Sequence, residues 1–167
     1  MLLLLKTFLD VIALRKGPDS IPGSWLVFLV ALVLMTVSSY VAVALIGSEE
    51  QRNHGLTFLA YAMGLLFYAA VIYVSGKAGR VLQAITTIIA CGSIITVFFV
   101  GAFVVLSPVS GQEFAAFVAT LILFWSVPVE GHIMARALDQ SWFIGIVIAI
   151  AAFVLQFGLQ SAFVEPG

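Results

Sequence analysis

Charge is what this chain has least of. Only 9% of its 167 residues are Asp, Glu, Lys or Arg, against about a quarter in an ordinary soluble domain, so a normal water-facing surface cannot be built from it. Seven basic residues stand against eight acidic ones, a balance that supplies no cationic field for nucleic acid. Cysteine is nearly absent. Cys91 alone excludes an intramolecular disulfide, a cysteine-ligated zinc site and a CxxCH haem attachment, and a small packed thiol is expected there. The two histidines, His54 and His132, belong to opposite ends of apolar runs, too different in depth to share a haem or metal. No nucleophile with a neighbouring base, no phosphate-cradling glycine loop and no dinucleotide fingerprint occurs. The expectation is a non-catalytic protein without a cofactor.

What the chain has in abundance is long hydrophobic runs, with 63% hydrophobic residues and a mean hydropathy of +1.21. A hydrocarbon core of about 30 Å takes about 20 helical residues to cross, and lipid satisfies no free backbone amide, so such runs are forced into helices. The interruptions by charge, Pro and Gly divide the chain into spans at 25–47, 55–75, 81–106, 114–138 and 142–163, followed by a tail, 164–167. The first span stops at Ser48, Glu49 and Glu50, the second at Gly76 and Lys77, and the third at a turn through Ser107, Pro108 and Gly111. The predicted fold is an all-α integral membrane protein with five transmembrane helices and the lipid bilayer as its first partner.

Five crossings put the termini on opposite sides, and the basic residues choose between them. Lys6, Arg15, Lys16, Lys77, Arg80 and Arg136 fall on the side of the N-terminus and Arg52 alone on the other, which places the N-terminus in the cytoplasm and the C-terminus outside. No positive residue precedes Leu2–Leu5, and no small-residue cleavage site follows near Gly17, so a signal peptide is not expected. At helical spacing Lys6, Asp10, Ala13 and Gly17 line one stripe, predicting an amphipathic helix lying in the headgroup layer within residues 1–24. Pro18 and Pro22 end it, and Trp25 opens the first span at the interface.

The fourth span carries the candidate functional residues. Glu130 lies six positions from Arg136, about 9 Å deeper at 1.5 Å per residue, where a carboxylate must be protonated, hydrogen-bonded or wetted. Pro128 lacks the amide that would bond the Phe124 carbonyl, and Gly131 follows, so a kink is predicted beside the acid. A broken helix with an acid at the break has the form of a transporter site, although a structural hydrogen bond is the favoured reading. His132 and Arg136 share a face with Trp125 and Asp139, away from Glu130, and read either as an interfacial stripe snorkelling to water or as part of a recognition surface. Lys77, Arg80, Arg136 and Asp139 would form that surface, a cytoplasmic patch for a protein or for anionic lipid heads. Small residues at Ser38 and Ala42, Ala60 and Gly64, Gly145 and Ala149, and the Ala90, Gly92, Ser93 cluster offer close helix contacts, either internal or with another subunit.

Two stretches carry a family resemblance: Gly76–Ile95, GKAGRVLQAITTIIACGSII, and Leu121–Ile148, LILFWSVPVEGHIMARALDQSWFIGIVI. In them the Trp, the Gly-His pair and the basic-Ala-Leu run that opens the last span resemble the bacterial branch of the Yip (Ypt-interacting protein) membrane-domain family, over roughly Pro18–Phe163. The resemblance implies five membrane helices behind a cytoplasmic N-terminal segment, a bacterial inner-membrane location and an adaptor, scaffold or membrane-organising role. Two departures matter. The Tyr and Pro common in the family's third helix are replaced by Ala90, Cys91, Gly92 and Ser93, and the longer N-terminal region through which eukaryotic relatives serve Rab-type GTPases has no counterpart in these residues. The GTPase role is therefore not carried over. An accessory subunit of a larger membrane complex, or a small transporter or proton path through Glu130, are the alternatives.

Overall fold

The computed structural model describes residues 2–46 and 54–163, and among them it holds helices and turns but no strand. In chain order these are α1 (Leu2–Ile12), α2 (Trp25–Ile46), α3 (His54–Val74), α4 (Val81–Ser110), α5 (Gln112–Phe124), α6 (Ser126–Leu138) and α7 (Trp142–Phe163), with single 3-10 turns at Pro18–Ser20 and Ala78–Arg80. The predicted breakers Ser48, Glu49 and Glu50, together with Arg52, the tail 164–167 and the side chain of His54, lie outside the described residues. Four helical stretches among the described residues are long and apolar enough to cross a membrane: Trp25–Ile46, Ala78–Ser110, Gln112–Leu138 and Trp142–Leu159. Phe58–Val74 is apolar but shorter. The class is therefore a polytopic helical membrane protein.

Helix α4 is the hub. It packs against α2, α5 and α6, and also touches α1 and α3. Its most apolar window is 44% buried, against 17% for α2 and for α7, which marks it as the interior helix. Three hydroxyls would be a liability in such a position were they not returned to the helix itself. Thr86, Thr87 and Ser93 donate to the carbonyls four residues back, of Leu82, Gln83 and Ile89, at 2.6–2.7 Å. On the opposite side of the bundle α2 exposes Leu26, Val30, Val33, Val37 and Tyr40, an outward apolar stripe at helical spacing that lipid can cover and water cannot.

Two boundaries differ from the sequence expectation. Helix α4 does not stop at Leu106 but continues through Pro108 to Ser110. A proline in the last turn removes a single hydrogen bond, to the Val104 carbonyl, and the real terminator is Gly111, whose φ of +87° suits glycine and ends the helix. Helix α1 stops at Ile12 rather than running to Gly17. Leu14 turns to φ +59°, the Leu14 amide bonds the Val11 carbonyl and the Arg15 amide bonds the Asp10 carbonyl, the paired closure of a Schellman motif. Ala13 and Gly17 thus leave the predicted polar stripe, while Phe8 and Val11 are buried in the core shared with α4 and α6.

At the predicted kink the helix shows a one-residue interruption at Trp125, whose backbone keeps right-handed helical angles. Helix α5 ends at Phe124 and α6 begins at Ser126, so the interruption falls at the carbonyl that Pro128 cannot serve. Beyond it, α6 and α7 close into a hairpin in which Gly131 and Gly145 face each other so tightly that a methyl on Gly145 would overlap the Gly131 carbonyl oxygen. Gly64 likewise lets Gln156 of α7 lie across α3, with Ala60 and Ala149 buried. These small-residue pairs serve internal packing. Ala90 and Ser93 do the same within the α4 core, and Ser38 is buried on α2.

Candidate functional site

Two helices end at one end of the bundle in the same way. Gly76 (φ +75°) follows α3 and Asp139 (φ +55°) follows α6, each with the amide pairing already seen after α1: Gly76 to Tyr73 and Lys77 to Ile72, Asp139 to Arg136 and Gln140 to Ala135. Helix C-termini carry partial negative charge and leave carbonyls unpaired, and the local basic residues answer both. Arg80 Nη1 donates to the carbonyls of Arg136 and Ala137 at 3.2 and 3.1 Å and to Asp139 Oδ1 at 2.7 Å. Lys77 Nζ donates to the other oxygen of Asp139 at 2.6 Å. The Arg80 guanidinium, and then Lys77, hold the Asp139 carboxyl down to about 2, so Asp139 stays ionised through the whole physiological range.

The predicted patch of Lys77, Arg80, Arg136 and Asp139 is therefore assembled, but its members are not equivalent. Lys77 and Arg80 are engaged with Asp139 and the end of α6, whereas Arg136 is 57% exposed and among the described residues its ion-pair partner is Asp19, at 3.8 Å. Between them lies a cleft of about 390 Å³, bounded by Pro18, Asp19, Gln83, Arg136, Asp139 and Gln140. Gly17 packs directly on Arg136, where any side chain would collide with the guanidinium. Among the described residues, Arg136 and Gln140 are the lining groups left to recognise something else.

Glu130 sits elsewhere, on the other face of α6. It is half-buried, and its Oε2 accepts a 2.5 Å hydrogen bond from the hydroxyl of Tyr68, a side chain 1% exposed on α3. Of the three states open to an acid at this depth, the hydrogen-bonded one is realised. Its partner lies 62 residues away, and only the presence of a tyrosine in an apolar span hints at it. Glu130 and His132 do not meet.

The face bearing Trp125 and His132 is not a free snorkelling stripe, because both side chains bind carbonyls of the N-terminal segment. Trp125 Nε1 donates to the Ile12 carbonyl at 3.0 Å, the one left open at the end of α1, and His132 Nε2 lies 3.0 Å from the Lys16 carbonyl. Gln83 donates to the Ile21 carbonyl, and the Cys91 thiol lies 3.8 Å from the Phe8 carbonyl. Four side chains of α4, α6 and the α5–α6 junction thus hold carbonyls of residues 8–21. Sequence reasoning misses this because carbonyl acceptors have no side-chain signature.

Compared with known protein families, with curated proteins and with solved structures, the chain gives no match.

Proposed function

We propose that this chain is a non-catalytic membrane adaptor or scaffold of the Yip-like kind, with five crossings, its N-terminus in the cytoplasm and its working surface at the cytoplasmic end of the bundle. The length of helix α3, 21 residues from His54 to Val74, supports counting it as the fifth crossing. The supporting observation is the cleft itself. Residues from the Pro18–Ser20 turn, the α3–α4 connection and the end of α6 converge on one polar opening, bordered by the Asp139 ion pairs. The bacterial inner membrane is the compartment that this reading and the basic residues favour.

A second reading, a small transporter or proton path, draws on the acid beside the α5–α6 break. One experiment separates the two. After mild extraction, mass spectrometry of the copurifying proteins is expected to find a discrete partner that is lost from Arg136→Glu and retained by Glu130→Gln. No retained partner, together with solute or proton flux in liposomes that Glu130→Gln abolishes, would overturn the adaptor reading in favour of transport.

A further inference from the structure

The bundle has a second concavity, unlike the polar cleft and not used by the adaptor reading. It is a lateral groove of about 580 Å³ between α1, α4 and α5, lined by Ile12, Ile95, Phe98, Gly101, Ile122 and Trp125, with almost no polar surface. Its floor is fixed, since the Trp125 indole N–H is engaged with the Ile12 carbonyl and leaves the ring as an apolar wall. At Gly101 an added Cβ would meet nothing within 4 Å, so the groove runs open over this position.

The groove also has a charged end. Seven residues along from Trp125, about 10 Å at the helical rise, His132 holds the Lys16 carbonyl, which anchors the Arg15–Lys16 pair beyond the groove's lip. Residues 2–17 carry Lys6, Arg15 and Lys16 against Asp10 alone; Lys16 Nζ is paired with Asp10 at 2.9 Å, while Lys6 and Arg15 are exposed. An apolar slot lined by Ile12, with basic residues three and four positions further along the chain, matches one partner chemistry, a negatively charged head group on a long acyl chain. We propose that the groove is a site for one acyl chain of an anionic phospholipid whose head group meets Arg15 and Lys16. The site needs the chain to be in a bilayer but needs no protein partner, so it stands apart from the adaptor reading.

The test uses the purified full-length chain in lipid nanodiscs, with Trp25→Phe and Trp142→Phe leaving Trp125 as the only indole. Quenching of its fluorescence is titrated with acyl-brominated phosphatidylglycerol and, separately, with acyl-brominated phosphatidylcholine. The anionic lipid is expected to quench at about fivefold lower mole fraction, the advantage of a single basic residue near the membrane surface. Arg15→Gln with Lys16→Gln should bring the two curves together, and Gly101→Phe, which fills the slot, should remove the preferential quenching while Gly101→Ala keeps it. Equal quenching by both lipids in the otherwise unaltered chain overturns the proposal, as does quenching by neither, the result expected if a second copy or another protein covers the groove. So does a preference that survives Gly101→Phe.

Discussion

Gly145→Ala is expected to be the most damaging conservative substitution in the molecule. The new methyl would overlap the Gly131 carbonyl oxygen and come within 2.9 Å of Ala135 Cβ, and both obstacles belong to the adjoining helix of the hairpin rather than to a mobile side-chain tip. Relief requires α7 to move away from α6, which overpacking data put at about 3 kcal/mol. Gly131→Ala meets the Ile146 backbone at 2.9 Å and should behave similarly. Gly64→Ala provides the control, because its obstacle is the flexible end of Gln156, which can swing aside. Thermal unfolding in detergent should rank the loss as Gly145→Ala and Gly131→Ala well above Gly64→Ala. Equal, small shifts for all three would show that the helices are not in contact at this point.

The second large effect concerns Tyr68 and Glu130, the hydrogen bond that ties α3 to α6. Tyr68→Phe strips the carboxyl of its donor, and Glu130→Leu leaves a buried hydroxyl without its acceptor; each is expected to cost about 1–3 kcal/mol. Replacing both partners removes the polar demand along with the bond, so the double variant should be more stable than the sum of the single losses implies. Equilibrium unfolding of the four proteins closes the cycle. Additive losses would mean that the two side chains are independent of each other, and the bond would have no part in holding α3.

What can be read from the chain follows the range of the interaction. The α5–α6 break is legible because Pro128 and the Phe124 carbonyl are four residues apart, and the packing value of Gly64, Gly145 and Ala149 because small residues at helical spacing have few other uses in lipid. The four patch residues can be grouped from topology alone. Their division of labour cannot, since it depends on Arg80 reaching carbonyls 56 and 57 residues away. The same holds for Tyr68 with Glu130 and for Trp125 with Ile12, contacts that leave no local trace in the sequence. Leu14 is a different failure: the left-handed turn that ends α1 is ordinarily marked by glycine or asparagine, and a leucine there conceals the helix end.

The orientation of α4 carries the proposed topology, because the basic Schellman turn after α3 lies before it and the α4–α5 turn after it. Single cysteines placed at Gly79, where a side chain meets nothing, and at the exposed Ser110, in a Cys91→Ser background, report the two ends of this helix directly. In intact spheroplasts a membrane-impermeant maleimide is expected to label Ser110→Cys at once and Gly79→Cys only after permeabilisation. Labelling of Gly79→Cys from outside, or of both positions from one side, would contradict it.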